Sequence, residues 1–487
     1  MKIIVLFGFL ISITISFTQN TDNRVQQLIN QLANDHALTH AAISFQAINL
    51  SSGEVVAQYN PTMSLPPAST MKLYSTAIAF ELLGPFYQPK TDIYIDGEID
   101  SNNVLNGDIW IKGGGDPTLG SKYFFDEQNK KQFLKEWSDA ILSLGISRIN
   151  GSVIADGSDF GYLSAPQGWT WGDLGNYYGA GPSGCVIYDN MTLLSFKTSE
   201  KLYDTTSVFC TDPYIYGMQI KNEVTTAKSQ RDNAYIYGAP FSYDRFAKGT
   251  LPFNRDEFIV KASIPDPELL LAQELQATLG SRVPVKYAPK GYRSLSYNKD
   301  PIIEYNKMKK VYSTSGKTVT SIVAITNLKS INLFAEQLLC LVSFEKQGTG
   351  DIQNSASYAQ SYWEKIVGTG LNISDGSGLS RKNSSSAGNF CKLLQYMHQS
   401  ENFEEYFRSL PVAGKTGTLS SVCRGQVAAG KIHAKSGTMN RIKAYSGYVN
   451  SSSGKQLTFA IIINNHDCSS YQLIKKMEPL FNAMATF

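Results

Sequence analysis

Both ends of this chain carry a helix and a hairpin, and that match constrains the fold more than any other feature. Near the start, Arg24 to Ala33 reads as a helix, Ala42 to Leu50 as a strand, Ser51-Ser52-Gly53-Glu54 as a turn, and Val55 to Tyr59 as a second strand. Near the end come MNRIKAYSGYVN, the turn SSSGK, the very apolar QLTFAIIINN, and a closing helix from about Tyr471 to Met484. Hairpins from opposite ends, each with its own helix, suit one antiparallel sheet completed by both termini, with the terminal helices packed on it. Helices at the MKLYSTAIAFELLG run and around Asn332, Tyr358 to Val367 and Asn389 to His398 predict a second, helical region. The seam between the two is where a site is expected.

Three short patterns fall on that seam: Ser69-Thr70-Met71-Lys72, Ser330-Ile331-Asn332 and Lys435-Ser436-Gly437. Each is common alone. Ser69, Ser296, Ser343 and Ser452 all have a lysine three residues on, and only Ser69 stands at the mouth of a helix, after Pro66-Pro67-Ala68 and with Gly84-Pro85 closing the run. On a helix the i and i+3 side chains share a face, so the Lys72 amine reaches the Ser69 hydroxyl. A lysine acts as a base only when burial or a neighbouring cation lowers its pKa. Met71, Leu73 and Ala77 to Leu83 supply dry surroundings, and Lys435 supplies a cation. The competing reading of an isolated tetrad is a buried helix with an incidental serine and lysine; the ordered trio points instead to serine acyl transfer.

The rest of the sequence narrows the class. At 487 residues, two or three domains are expected. Lys and Arg total 44 against 41 Asp and Glu, for a net charge of +3 with no basic run, which argues against nucleic acid or an anionic membrane as a partner. The five histidines, at 36, 40, 398, 433 and 466, form no ligand spacing, so no metal and no other cofactor is expected. One lysine and an apolar stretch from Ile3 to Phe17 read as a signal peptide, too short for a span. The mature protein is therefore expected outside the cytoplasm with no transmembrane anchor. Six cysteines permit disulfides there; Cys340 and Cys391 read as core, and pairing among Cys185, Cys210, Cys423 and Cys468 stays open.

Ser330 follows Ser69 by 261 positions, too many for a loop. Strand-like TDIYIDGEID and GDIWIKGGG, a helix near Lys131 to Leu144, and a Tyr-, Trp- and Thr-rich stretch from Gly168 to about Val260 predict one or two inserted, mainly β domains. The chain is expected back in the helical region near Pro301. Gly113-Gly114-Gly115-Asp116 lacks the lysine and helix of a phosphate loop and reads as a tight turn. Lys415-Thr416-Gly417 rivals Lys435-Ser436-Gly437, but TLSSVCRGQVAAG after it suits a loop, whereas the second opens a strand along which substrate can add. Asp375-Gly376-Ser377-Gly378-Leu379-Ser380 reads as a turn into a helix, with cleft lining as the alternative.

PASTMKL, GDIWIKGGGDPTLG, the GW…DL…YYGAGPSG region, KSINLFAEQLL, DGSGLSRKN, LPVAGKTGTL and AKSGTMN together resemble the class C low-molecular-mass penicillin-binding proteins of the penicillin-binding protein 4 type. Ile331 stands where aspartate is common, and Ser436 where threonine is common. The resemblance implies an α+β penicillin-recognising serine transferase fold with two nested insertions. It divides the chain into a signal peptide (1–18), a catalytic domain (19–88 and 303–487), inserted domain II (89–165 and 262–302) and inserted domain III (166–261). The implied activity is D-alanyl-D-alanine carboxypeptidase or endopeptidase action on peptidoglycan stem peptides, with β-lactams as covalent inhibitors. It further implies Ser69 as nucleophile, Lys72 as base, Ser330 as proton relay and Asn332 as holder of the substrate backbone. Lys435, Ser436 and Thr438 would bind the terminal carboxylate, and the N–H groups of Ser69 and Thr438, beside Gly437, would form the oxyanion hole. A β-lactamase, a non-catalytic envelope-binding protein and a secreted esterase remain as alternatives; the oligomeric state is open.

Overall fold

The computed structural model describes residues 19–292 and 303–487; the signal peptide expected at 1–18 lies outside the described residues. The two chain ends meet in a five-stranded sheet ordered Ile432–Met439, Ile442–Asn450, Gln456–Asn464, Ala42–Asn49, Val55–Tyr59. All neighbours are antiparallel, and the join between the ends is the ladder from Ala42↔Asn464 to Asn49↔Leu457. Along the central strand Phe459, Ile461 and Ile463 face the terminal helices Gln19–Ala33 and Ser470–Ala485, sharing a core with Val25, Ile29, Leu473 and Phe481. Ala460 and Ile462 face the other way, into a core with Leu73, Ile78, Phe390 and Leu394. Cover on both faces is why QLTFAIIINN is apolar without alternation.

The second core belongs to helices Lys72–Leu83, Val319–Lys329, Asn332–Gln347, Ile352–Val367 and Ala387–His398. Lys72 through Phe80 are all buried, as befits a helix apolar all round. Ser69 is not in its first α-turn, as the spacing predicts, but in a 3-10 turn, Ala68–Met71, that feeds it. Three residues per turn eclipse i and i+3, so Ser69 and Lys72 stay aligned.

A sheet outside the catalytic layers runs Lys290–Tyr292, Val153–Asp156, Val104–Gly113, Lys90–Ile99, Lys309–Ser315. Helices Gln132–Leu142 and Pro267–Gly280 share its core through Trp137 and Leu271. Between Val153–Asp156 and Pro267–Gly280 the chain forms two three-stranded sheets with a small core of Leu194, Phe196, Ile236 and Val260. Two features differ from expectation. Lys309–Ser315 pairs with Lys90–Ile99, so the chain leaves this sheet at Ser315 rather than at the boundary expected at 303. The helix Pro267–Gly280 interrupts a region read as mainly β, although Asp266 capping Leu269 N–H with proline next is an ordinary helix start. All six cysteines are free, and Cys340 and Cys391 are core residues.

Candidate active site

The seam brings Ser69, Lys72, Ser330, Asn332, Lys435 and Gly437 together. Lys72 has no exposure, and its Nζ lies 2.9 Å from Ser69 Oγ, 2.7 Å from Asn332 Oδ1 and 2.7 Å from the Ser377 carbonyl. Burial brings its pKa down to about 7 against the opposing pull of Glu336 and Asp375. An amine that is neutral in part near neutral pH, at hydrogen-bond distance from a serine hydroxyl, can take its proton. Ser330 sits where helix Val319–Lys329 ends, in the left-handed region at φ 60°, and its Oγ accepts from Lys435 Nζ at 2.8 Å. Lys435 Nζ also donates to the Ser436 carbonyl. Burial, then Lys72 and Lys443, push its pKa well below the usual lysine value. Asn332 opens the next helix, and its Nδ2 donates to the Tyr178 carbonyl at 2.8 Å. Both ends of the amide expected to hold substrate therefore already have protein partners.

The strand Ile432–Met439 is a sheet edge, covered at its start by the Val412↔His433 bridge. Gly437 runs against the backbone that carries Ser69: a Cβ there would come within 2.4 Å of Pro67 O and 3.1 Å of Ser69 N. Ser436 Oγ donates to Thr418 Oγ1 at 2.8 Å, and Thr438 Oγ1 accepts from Lys443 Nζ at 2.7 Å. Lys415 is exposed in a turn, and it is Thr418, the residue after its tripeptide, that touches Ser436. Ile331, Ser330 and Asn332 border a pocket of about 250 Å³ that Tyr123, Tyr177 and Asp189 of the inserted part also line.

Glu336 was not singled out from sequence, whereas the segment Asp375 to Ser380 was read there as a turn with cleft lining as the alternative. Glu336 accepts from the Gly376 and Ser377 N–H groups at 2.9 and 2.7 Å, fixing the carbonyl that binds Lys72. Asp375 takes the N–H groups of Gly378 and Ser380, the Asn383 amide and Trp169 Nε1, so its segment is a turn that also reaches the site. Burial and proximity raise both carboxyls. An acid four residues after Asn332, on the same face of that helix, was the available signal for Glu336. Glu336→Ala leaves two buried N–H groups without an acceptor, about 1–3 kcal/mol each. A lower thermal unfolding midpoint and slower acylation are expected; an unchanged midpoint would contradict this bracing.

Residues 25–484 match the D-Ala-D-Ala carboxypeptidase 3 (S13) family. The chain is 23% identical to the D-alanyl-D-alanine carboxypeptidase DacB of Haemophilus influenzae, across 97% of this chain and 95% of that one. It is 24% identical to a D-alanyl-D-alanine carboxypeptidase of Actinomadura, across 90% and 80%. Its fold is similar to the crystal structure of penicillin binding protein 4 from Haemophilus influenzae, with a TM-score of 0.79 and 20% identity over 95% of this chain and 99% of that one. The same protein has been crystallised with a β-lactam.

Proposed function

Because the chain belongs to the D-Ala-D-Ala carboxypeptidase 3 (S13) family, we propose that it cleaves the terminal bond of peptidoglycan stem peptides through an acyl-enzyme on Ser69. It is a serine DD-carboxypeptidase of the class C low-molecular-mass penicillin-binding type, and the observation that carries the chemistry is the buried Lys72 amine 2.9 Å from the Ser69 hydroxyl. Ser69 Oγ attacks the carbonyl of the penultimate D-alanine while Lys72 takes its proton. The N–H groups of Ser69 and Thr438 hold the oxyanion, an arrangement worth about 3 kcal/mol per donor. Ser330, polarised by Lys435, hands its proton to the departing D-alanine amine and takes in its place the proton that Lys72 accepted from Ser69, which leaves the ester on Ser69 and returns Lys72 to its neutral form. Water then attacks the ester, with Lys72 again the base, and releases the shortened peptide.

Lys435 is assigned to Ser330 rather than to the substrate carboxylate, because its donors are directed at Ser330 and Ser436. Asn332, held between Lys72 and Tyr178, aligns the base. The terminal carboxylate falls to the Thr438 hydroxyl at the strand edge, whereas the Ser436 hydroxyl beside it donates to Thr418 Oγ1. β-Lactams resemble the D-alanyl-D-alanine end and acylate the same serine. The substrate places the working enzyme in the periplasm or outside the cell, and no described helix is long and apolar enough to cross a membrane.

Incubation with an N-acyl-D-alanyl-D-alanine peptide should release D-alanine, and fluorescent penicillin should label the chain one to one. Rapid turnover of a chromogenic cephalosporin would favour a β-lactamase, and absence of labelling a non-catalytic protein. Lys72 must be neutral to accept a proton, and its pKa is depressed to about 7. Acylation should therefore climb with pH to a plateau above that value and fall as Lys72 protonates below it. A flat profile from pH 5 to 9 would contradict Lys72 as base.

A further inference from the structure

Lys443 is a third lysine at the site, and the chemistry above leaves it without a task. It stands on Ile442–Asn450 directly across from Thr438, is 7% exposed, and has no ion pair among the described residues. Its ammonium donates to Thr438 Oγ1 at 2.7 Å and lies 5.1 Å from the centre of the Tyr445 ring. A buried cation facing one hydroxyl and a ring is poorly compensated. Burial alone brings its pKa down to about 8, so at neutral pH the charge is kept. Lys435, by contrast, is pushed much further down and its donors are taken. Because Lys443 donates to Thr438 Oγ1, the hydroxyl proton of Thr438 is left to point elsewhere, and Thr438 is exposed at the open strand edge.

We infer that Lys443 is a specificity-determining residue: it supplies the positive charge that recognises the substrate's C-terminal carboxylate and turns the Thr438 hydroxyl into a donor toward it. This rests on the DD-peptidase reading and deepens it, since the preference for a free C-terminal acid then comes from Lys443 rather than from Lys435.

The test compares an N-acyl-D-alanyl thioester of thioglycolate, whose leaving group ends in a carboxylate, with its methyl ester. The wild type should prefer the acid in kcat/KM. In Lys443→Met that preference should fall by tenfold or more, mainly through KM, and in Lys443→Arg it should be largely restored. Thermal melts of both variants check the fold. An acid-over-ester ratio in Lys443→Met equal to that of the wild type, including an equal loss on both substrates, overturns the inference. A wild-type chain that cleaves neither thioester and takes no penicillin label overturns the DD-peptidase reading itself.

Discussion

Lys72→Met should slow acylation of Ser69 by penicillin about a thousandfold at neutral pH, within the range of about 10²–10⁴ that a positioned general base contributes. The substitution keeps an unbranched chain of similar reach in a site with no exposure, so the fold should hold. It removes the amine at 2.9 Å from Ser69 Oγ and leaves Asn332 Oδ1 and the Ser377 carbonyl without their donor. Lys72→Arg should not rescue the rate, because a guanidinium does not lose its proton at accessible pH. Stopped-flow measurement with a fluorescent penicillin separates the cases. Wild-type acylation by the arginine variant would mean that Lys72 serves as a cation and that the proton leaves Ser69 by another route.

Gly437→Ala should be nearly as damaging, although it adds a single carbon. The new Cβ would lie 2.4 Å from the Pro67 carbonyl oxygen and 3.1 Å from both Ser69 N and Thr70 N. These are backbone atoms, and none can swing aside as a flexible side chain would. The strand must therefore retreat from the serine, and with it Thr438, whose N–H is assigned to the oxyanion hole. A displacement near 1 Å costs about 10² in rate, and a lost oxyanion donor roughly 10²–10³. Acylation should fall a hundredfold or more while the thermal midpoint moves little, because the rest of the ladder from Ile432↔Val449 to Met439↔Ile442 is intact. Acylation within threefold of the wild type would show that the strand is not in register with Ser69 as described.

How much of this was readable in the sequence depends on whether the partner lay nearby along the chain. The tetrad was readable because Lys72 reaches Ser69 within one turn, and the two end hairpins because each is local and the apolar strand needed cover on both faces. Lys435 was separable from Lys415 because only the former opens an alternating strand. The pairing of Glu336 with Ser377 was harder: they meet 41 residues apart along the chain, and nothing local pairs them. Lys443 was closer to hand. Met439 pairs with Ile442, leaving Asn440 and Arg441 as a two-residue loop, and such a loop sets Thr438 opposite Lys443. The strand Lys309–Ser315 was missed because its partner, Lys90–Ile99, lies more than two hundred residues earlier, where periodicity gives no guide.

The identity of the nucleophile is tested most directly by reacting the purified chain with benzylpenicillin and mapping the adduct by mass spectrometry. One penicilloyl group per chain is predicted, on the peptide containing Ser69, with no adduct in Ser69→Ala. An adduct on any other residue, or one that persists in Ser69→Ala, would contradict the account.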